Sequence, residues 1–370
     1  METKIYTIDK AHIDMDKIKA AADILARGGL VAFPTETVYG LGGDAMDARA
    51  SEKIYAAKGR PSDNPLIVHI ADMKALEEIA VHVPESAYAL AERFWPGPLT
   101  MILDKSDRVP SETTGGLSTV AVRMPSHPIA LELIRASGTY VAAPSANTSG
   151  RPSPTMASHV IEDMDGRIEA IIDGGKVGIG IESTIIDLTC EPPMILRPGY
   201  ITREMLLEVL DEVDVDQAIL TENTDKNFKP KAPGMKYRHY APKGELTIVE
   251  GTPDHVAAVI NALTKQAQSQ GLLTAVIAAD ETASRYDCPN VFTIGTRSSE
   301  ESIAANLYDV LRKMDDLHMD VIYSESYAGG GLGQAIMNRL LKAAGHKVID
   351  ADTGRHQHTL IENGRAKARS

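Results

Sequence analysis

Cysteine is scarce in this 370-residue chain: Cys190 and Cys288 are the only two, and they are too far apart to form the close pair of a zinc or redox motif. No disulfide framework is expected, which fits a reducing compartment. An excess of positive charge is also missing. Lys and Arg number 38 against 51 Asp and Glu, a formal net charge of −13. Surfaces that bind nucleic acid or anionic membranes broadly need surplus cations facing the phosphates, so neither class is expected here. A local basic pocket stays open.

The first twenty residues, METKIYTIDKAHIDMDKIKA, contain no unbroken apolar core, so neither a signal peptide nor a membrane span is expected, and the cytoplasm is the expected location. There is no GxSxG elbow, no HExxH and no carboxylate pair set out as an acid/base dyad, which removes serine hydrolases, zinc proteases and carboxylate-dyad enzymes. No internal repeat is visible.

What is there is a globular composition, 43% hydrophobic and 24% charged, in a chain too long for one ordinary core. Small and apolar residues recur at helical spacing from Ile18 to Ala26 and stop at Gly28-Gly29. The runs LVAFPTETVYGLG, PLIVHI, GPLTMIL, TVAVRMP, YVAAPSA, AIIDGG and STIIDL read as short strands bounded by Pro, Gly, Ser or Asn. A mixed α/β domain over 1–210 follows. Residues 211–243 are acidic and polar with little apolar periodicity, as in a long linker. From 244 to 350 strand-like and helix-like runs alternate, predicting a smaller Rossmann-like domain, with a tail over 351–370.

In FPTETVYGLGGDA the strand is expected to deliver Thr35, Glu36 and Thr37 to a turn, where Gly40, Gly42 and Gly43 let backbone N–H groups approach a ligand. It is not a P-loop, since no Gly-Lys-Ser/Thr follows. The stretch KGRPSDNPLIVHI sets Lys58 and Arg60 around a glycine before Pro61, a turn suited to an anion, with Asn64 and His69 able to add directional hydrogen bonds. Arg123 and Arg197 each close a strand ahead of a proline. Between them, APSANTSGRPSPT is dense in hydroxyl and amide groups, including Ser145 and Ser153, and Ser183-Thr184 opens a further strand. Such convergence of strand ends suits a nucleotide triphosphate beside a small polar substrate, with Mg2+ carried in on the phosphates. Each residue taken singly reads as an ordinary surface or structural group.

With these motifs in this order, the chain closely resembles the YrdC-type threonylcarbamoyl-AMP synthases over the whole first domain. APGMKYRHYAP and GLGQAIMNRLLKAAG resemble the longer branch, which carries a C-terminal Rossmann-like domain. The resemblance implies a nucleotidyltransferase that joins L-threonine, bicarbonate and ATP into threonylcarbamoyl-adenylate and pyrophosphate, the first step towards threonylcarbamoyl-adenosine in tRNA, with a separate transfer machinery downstream. By the same matching Thr35, His69, Arg123, Ala143 and Ser183 border threonine. Lys58, Arg60, Asn64, Thr119, Ser145, Ser153, Arg197 and His239 border ATP, and no side chain is assigned to a metal. Lys58, Arg60 and Arg123 are expected to carry the catalysis. His69 is a candidate proton acceptor because an unperturbed imidazole has a suitable pKa. Lys236, Arg238, His239 and Tyr240 are expected to lie in a linker that covers the pocket. Two other readings stay open: a non-catalytic RNA-binding module, with direct tRNA binding undecided, and a carbamoyl-transfer enzyme.

Overall fold

The structure is a computed structural model that describes residues 2–216, 219, 232, 239–327 and 330–357. The chain divides into two units, Met1–Tyr237 and Arg238–Ser370. The first runs β1 (Lys4–Thr7), α1 (Met15–Ala26), β2 (Val31–Pro34), β3 (Tyr39–Asp44), α2 (Ala48–Lys58), β4 (Ile67–His69), α3 (Ala75–Ile79), α4 (Glu85–Phe94), β5 (Leu99–Asp104), β6 (Thr119–Arg123), α5 (Pro128–Ser137), β7 (Val141–Ala142), α6 (Ala157–Met164), β8 (Ala170–Asp173), β9 (Thr184–Asp187), β10 (Met194–Arg197), α7 (Arg203–Leu206) and β11 (Asp214–Val215).

Local chemistry accounts for the helices that matter to the site. Asp14 caps α1 by accepting the Asp16 and Lys17 N–H groups, and Ile18, Ala21, Ala22 and Leu25 bury one stripe. Asp47 caps α2, which stops at Gly59 in the left-handed conformation, φ 61°.

The strands form one mixed sheet in the order β1-β8-β2-β3-β7-β4-β6-β5-β9-β10-β11. Alternation sorts its side chains. Val68, Leu99, Met101, Val120, Val122 and Ile186 point to one side and join the large core. Each such burial is worth about 1.5–3 kcal/mol, so this face supplies much of the stability. On the other side α1 and α5 pack over part of the sheet through Val31, Phe33, Val141, Ala143 and Ile172. The remainder of that side, on β4, β6, β5, β9 and β10, presents Ile67, Ala121, Ile102, Ile185 and Leu196. These form a small cluster that contains no helical residue and is joined by Ala232. Among the described residues, this half-face of the sheet therefore has no helix on it.

The glycines of FPTETVYGLGGDA depart from expectation. They do not form a loop: Gly40, Gly42 and Gly43 lie inside β3, which pairs antiparallel with β2 through Val31↔Gly42 and Phe33↔Gly40. Their role is steric. A Cβ on Gly42 would stand 2.8 Å from both Phe33 and Val141, so these positions let side chains pack against bare backbone rather than let a ligand approach.

The second unit contains β12 (Glu245–Glu250), α8 (Pro253–Ser269), β13 (Thr274–Ala278), β14 (Val291–Thr293), α9 (Glu300–Asp316), β15 (Val321–Glu325), α10 (Leu332–Ala343), β16 (Val348–Asp350) and β17 (Arg355–Gln357). Its sheet, in the order β14-β13-β15-β12-β16-β17, is parallel except for β17. That is the Rossmann-like, helix-connected arrangement expected. Tyr240 stacks on Tyr308 with ring centroids 5.1 Å apart.

Candidate active site

On the half-face over which no described helix packs, several polar candidates collect. Residues that alternate with the core positions must point there, so β4 contributes His69, β6 contributes Thr119 and Arg123, and β5 contributes Thr100. His69 and Arg123 are register partners on neighbouring parallel strands. Thr119 shares their face but lies four residues from Arg123, about 13 Å along the strand, so it serves the far side of the face.

Around Arg123 the groups are tightly set. Arg123 is 4% exposed; its Nε donates to Gly97 O at 3.4 Å and its Nη2 lies 2.8 Å from Glu36 Oε1. Thr35, the residue before Glu36, sits in a closed turn, donating to Val38 O at 2.6 Å and lying 2.9 Å from the Thr37 hydroxyl. Ala143 has already given its N–H to Ile67 O. Ser183 is 2.8 Å from the Thr100 hydroxyl and accepts from Arg197 Nη2 at 3.1 Å, while Arg197 Nε donates to Ser183 O at 3.0 Å. Ser183 thus links β5, β9 and β10.

A second group forms where α2 ends. Lys58, turned inward and 3% exposed, donates to Asn147 O at 2.6 Å and also to Ser145 O. The loop it holds runs antiparallel to β3 through a Gly40↔Ser145 bridge. Arg60 donates to the carbonyls of Asn64 and Pro65, each at 3.3 Å, closing the Asp63-Asn64-Pro65 turn. Both polar atoms of the Asn64 side chain are buried and unbonded. Ser153 donates to Glu182 Oε1 at 2.5 Å.

Electrostatics separates the histidines from the role their free pKa suggests. Burial, and after it the Arg123 charge, push His69 down to about 3, against backbone hydrogen bonds that favour the charged form. Its Nδ1 lies 3.1 Å from Ile67 O; a carbonyl only accepts, so Nδ1 carries the proton. His69 is a neutral, weak base, and the reason for considering it as proton acceptor does not hold. His127, at the start of α5, is likewise pushed down to about 4 by burial, with Glu36 opposing.

The structure therefore brings together His69 and Arg123, with Thr35 in the turn that carries Glu36, and, where α2 ends, Lys58, Arg60, Asn64 and Ser145, while Ser183 and Arg197 lie on neighbouring strands. His239 and Tyr240 belong to the second unit, their rings 5.6 Å apart. Lys236 and Arg238 lie outside the described residues. The sequence reading missed Glu36 as the partner of Arg123, Glu182 as that of Ser153, and Thr100 as that of Ser183. Only the alternation of LTMIL pointed at Thr100. Among the described residues, no three His, Cys, Asp or Glu side chains are grouped to hold a metal, and no helix is long and apolar enough to cross a membrane.

An α/β sheet with a half-face over which no described helix packs, lined by buried cations and hydroxyls at its strand ends and followed by a Rossmann-like unit, defines an enzyme class that handles anionic substrates such as nucleotides. Comparison narrows the class. Residues 23–199 match the family described as Telomere recombination, and residues 201–345 match the Threonylcarbamoyl-AMP synthase, C-terminal domain. The threonylcarbamoyl-AMP synthase of Pyrococcus abyssi is 51% identical over 340 residues, 92% of this chain and 97% of the relative. That of Bacillus subtilis is 49% identical over 353 residues, 94% and 100%. The crystal structure of P. abyssi Sua5 complexed with L-threonine superposes with a TM-score of 0.89 at 50% identity, covering 94% of this chain and 99% of that one. The chain belongs to the threonylcarbamoyl-AMP synthase family, in its longer, two-domain form.

Proposed function

We propose that this chain joins L-threonine, bicarbonate and ATP into threonylcarbamoyl-adenylate, releasing pyrophosphate, and that the product feeds a separate machinery that modifies tRNA. The observation that carries the reading is the separation of two groups: Arg123 and His69 on the half-face, with Ser183 reached through Thr100, and Lys58, Arg60 and Asn64 where α2 ends. Two anionic groups, a carboxylate and a triphosphate, then have separate cations.

In this reading Arg123 takes the threonine carboxylate, with Thr35, Ser183, Ala143 and neutral His69 shaping the pocket around it. Lys58, Arg60 and Arg197 face the phosphates, with Asn64, Thr119, Ser145 and Ser153 placing the nucleotide. The carbamate formed on the threonine nitrogen attacks the α-phosphorus in line with the departing pyrophosphate. Positioning and charge stabilisation do the work, and no protein nucleophile is needed. No described side chains are grouped to hold a metal, so Mg2+ would arrive with ATP and would supply charge neutralisation during the transfer.

The linker covering the pocket is supported by one described residue. Ala232 is fully buried against Ile67, Ile102, Ala121, Ile185 and Leu196, the floor of the half-face. A cover keeps water from a mixed anhydride. Removing the linker is expected to raise hydrolytic loss of the adenylate, and unchanged loss would remove the cover from the account. The reaction itself is tested with labelled threonine, bicarbonate, ATP and Mg2+. Labelled adenylate and pyrophosphate should appear only when all three substrates are present, and ATP binding without adenylate would favour a binding module.

A further inference from the structure

Glu36 has no part in the assignments above, yet it stands in the threonine pocket. Its backbone is fixed: the Glu36 carbonyl accepts the Ile179 N–H at 2.9 Å, and the Thr37 carbonyl accepts that of Gly180 at 3.0 Å. Its carboxylate is 2.8 Å from Arg123 Nη2. Even so, both carboxylate oxygens and that Nη2 are buried without an aligned hydrogen bond. The contact is an ion pair by distance and not a hydrogen bond by geometry. Folded proteins rarely leave three buried polar atoms in that condition, and ligand sites are where they do.

We propose that Glu36 receives the α-ammonium of L-threonine while Arg123 receives its carboxylate, and that Glu36 takes the first proton from that ammonium. The proposal rests on the synthase reading above. Charge favours it, because a zwitterion adds one charge of each sign to a pair that is itself balanced, leaving no uncompensated charge in a buried site. Size favours it too. The nitrogen and carboxylate oxygens of an amino acid are on the order of 3 Å apart, matching the spacing of Glu36 and Arg123.

The chemistry needs such a group, since an ammonium has no electron pair with which to attack carbon. One N–H bond breaks, its pair stays on nitrogen, and the proton forms an O–H bond on Glu36. The nitrogen pair then forms the N–C bond to CO2 drawn from bicarbonate, a C=O π pair moves onto oxygen, and a second N–H proton leaves to water. Bicarbonate consumes one proton in giving CO2 and water, so one is released overall. Burial pushes His69 down to about 3 and His127 down to about 4, so both are weak bases, and His69 has its Nδ1 proton committed to Ile67. Among the described groups Glu36 is the carboxylate in contact with Arg123, the acceptor an ammonium meets when its own carboxylate lies on that arginine.

The test uses the full-length chain with Glu36→Gln and Glu36→Asp. Threonine and 3-hydroxybutanoate, which keeps the carboxylate and hydroxyl but lacks the amine, are titrated calorimetrically without ATP, and turnover is followed from about pH 7 to about pH 10. Glu36→Gln is expected to weaken threonine about tenfold or more while leaving 3-hydroxybutanoate unchanged. Its turnover should fall about 100-fold at neutral pH and recover as pH rises and the free amine becomes abundant. Glu36→Asp should restore part of both. Equal weakening of the two ligands would mean that Glu36 only props Arg123, and unchanged threonine affinity with unchanged turnover would also overturn the proposal. If wild-type protein makes no adenylate the synthase reading fails, while the binding comparison still decides whether Glu36 holds the ammonium.

Discussion

Asn64 is a residue whose side chain the fold leaves unused. Its backbone carbonyl is well used, accepting from the Tyr55 hydroxyl at 3.0 Å and from Arg60, but neither side-chain polar atom has a partner. Removing an unsatisfied buried amide costs little stability, whereas removing a ligand contact costs affinity. Asn64→Ala is therefore expected to keep or raise the melting temperature and to raise the ATP KM about tenfold; calorimetry and steady-state kinetics on the same preparation check the split. The histidines make a prediction of opposite kind. His69 and His127 are held at about 3 and about 4, below the unfolded value of about 6.5. The unfolded chain binds protons first as pH falls, so their contribution is whole above about pH 6.5 and is lost progressively down to about pH 3–4. Thermal unfolding should show that loss, and His127→Gln should flatten it.

Among the elements, β9 and β10 depend on a close approach at Gly199, just after Arg197-Pro198. A Cβ there would lie 2.4 Å from Thr184 N and 2.7 Å from its hydroxyl. Thr184 follows Ser183 and anchors the strand by donating to Ile201 O at 2.6 Å. Gly199→Ala is expected to cost about 1–3 kcal/mol and to lower activity further by displacing Ser183 and Arg197; denaturant unfolding and turnover measure the two effects. The run LRPG showed a strand end with an arginine, but the contact that demands glycine lies across the sheet and leaves no local mark. The same limit explains the other misses. Strands with clean alternation, such as TVAVR and LTMIL, were legible because period 2 is written in adjacent residues. The glycines of β3 were not, because a buried strand packed under Phe33 and a glycine loop have the same local composition. Glu36 and Arg123, 87 positions apart, meet only when β6 and the turn before β3 are both in place.

At the scale of the whole molecule, a net charge of −13 and a pocket of buried cations are compatible because they occupy different places. Lys58, Arg123 and Arg197 are each almost wholly buried and fixed by carbonyls or a carboxylate, so they do not make the surface basic. The acidic total set aside broad phosphate binding without touching the pocket. The presence of two units was legible from length, but the first runs to Tyr237 and takes β11 (Asp214–Val215), inside the stretch expected to be linker, into its sheet; neither that pairing nor the packing of Ala232 on the half-face was legible, since nothing in either neighbourhood marks a core residue. The central claim is that separate cations serve the two substrates, Arg123 on the half-face for threonine and Lys58 at the end of α2 for ATP. The most direct measurement is the pair of KM values, for threonine and for ATP, on wild-type protein, Arg123→Lys and Lys58→Ala. Arg123→Lys keeps the charge and loses the fork, so it should raise the threonine KM about tenfold or more and leave that for ATP nearly unchanged; Lys58→Ala should do the reverse. If both substitutions raise the same KM, or neither separates the two substrates, the assignment of separate cations to the two anionic groups is wrong.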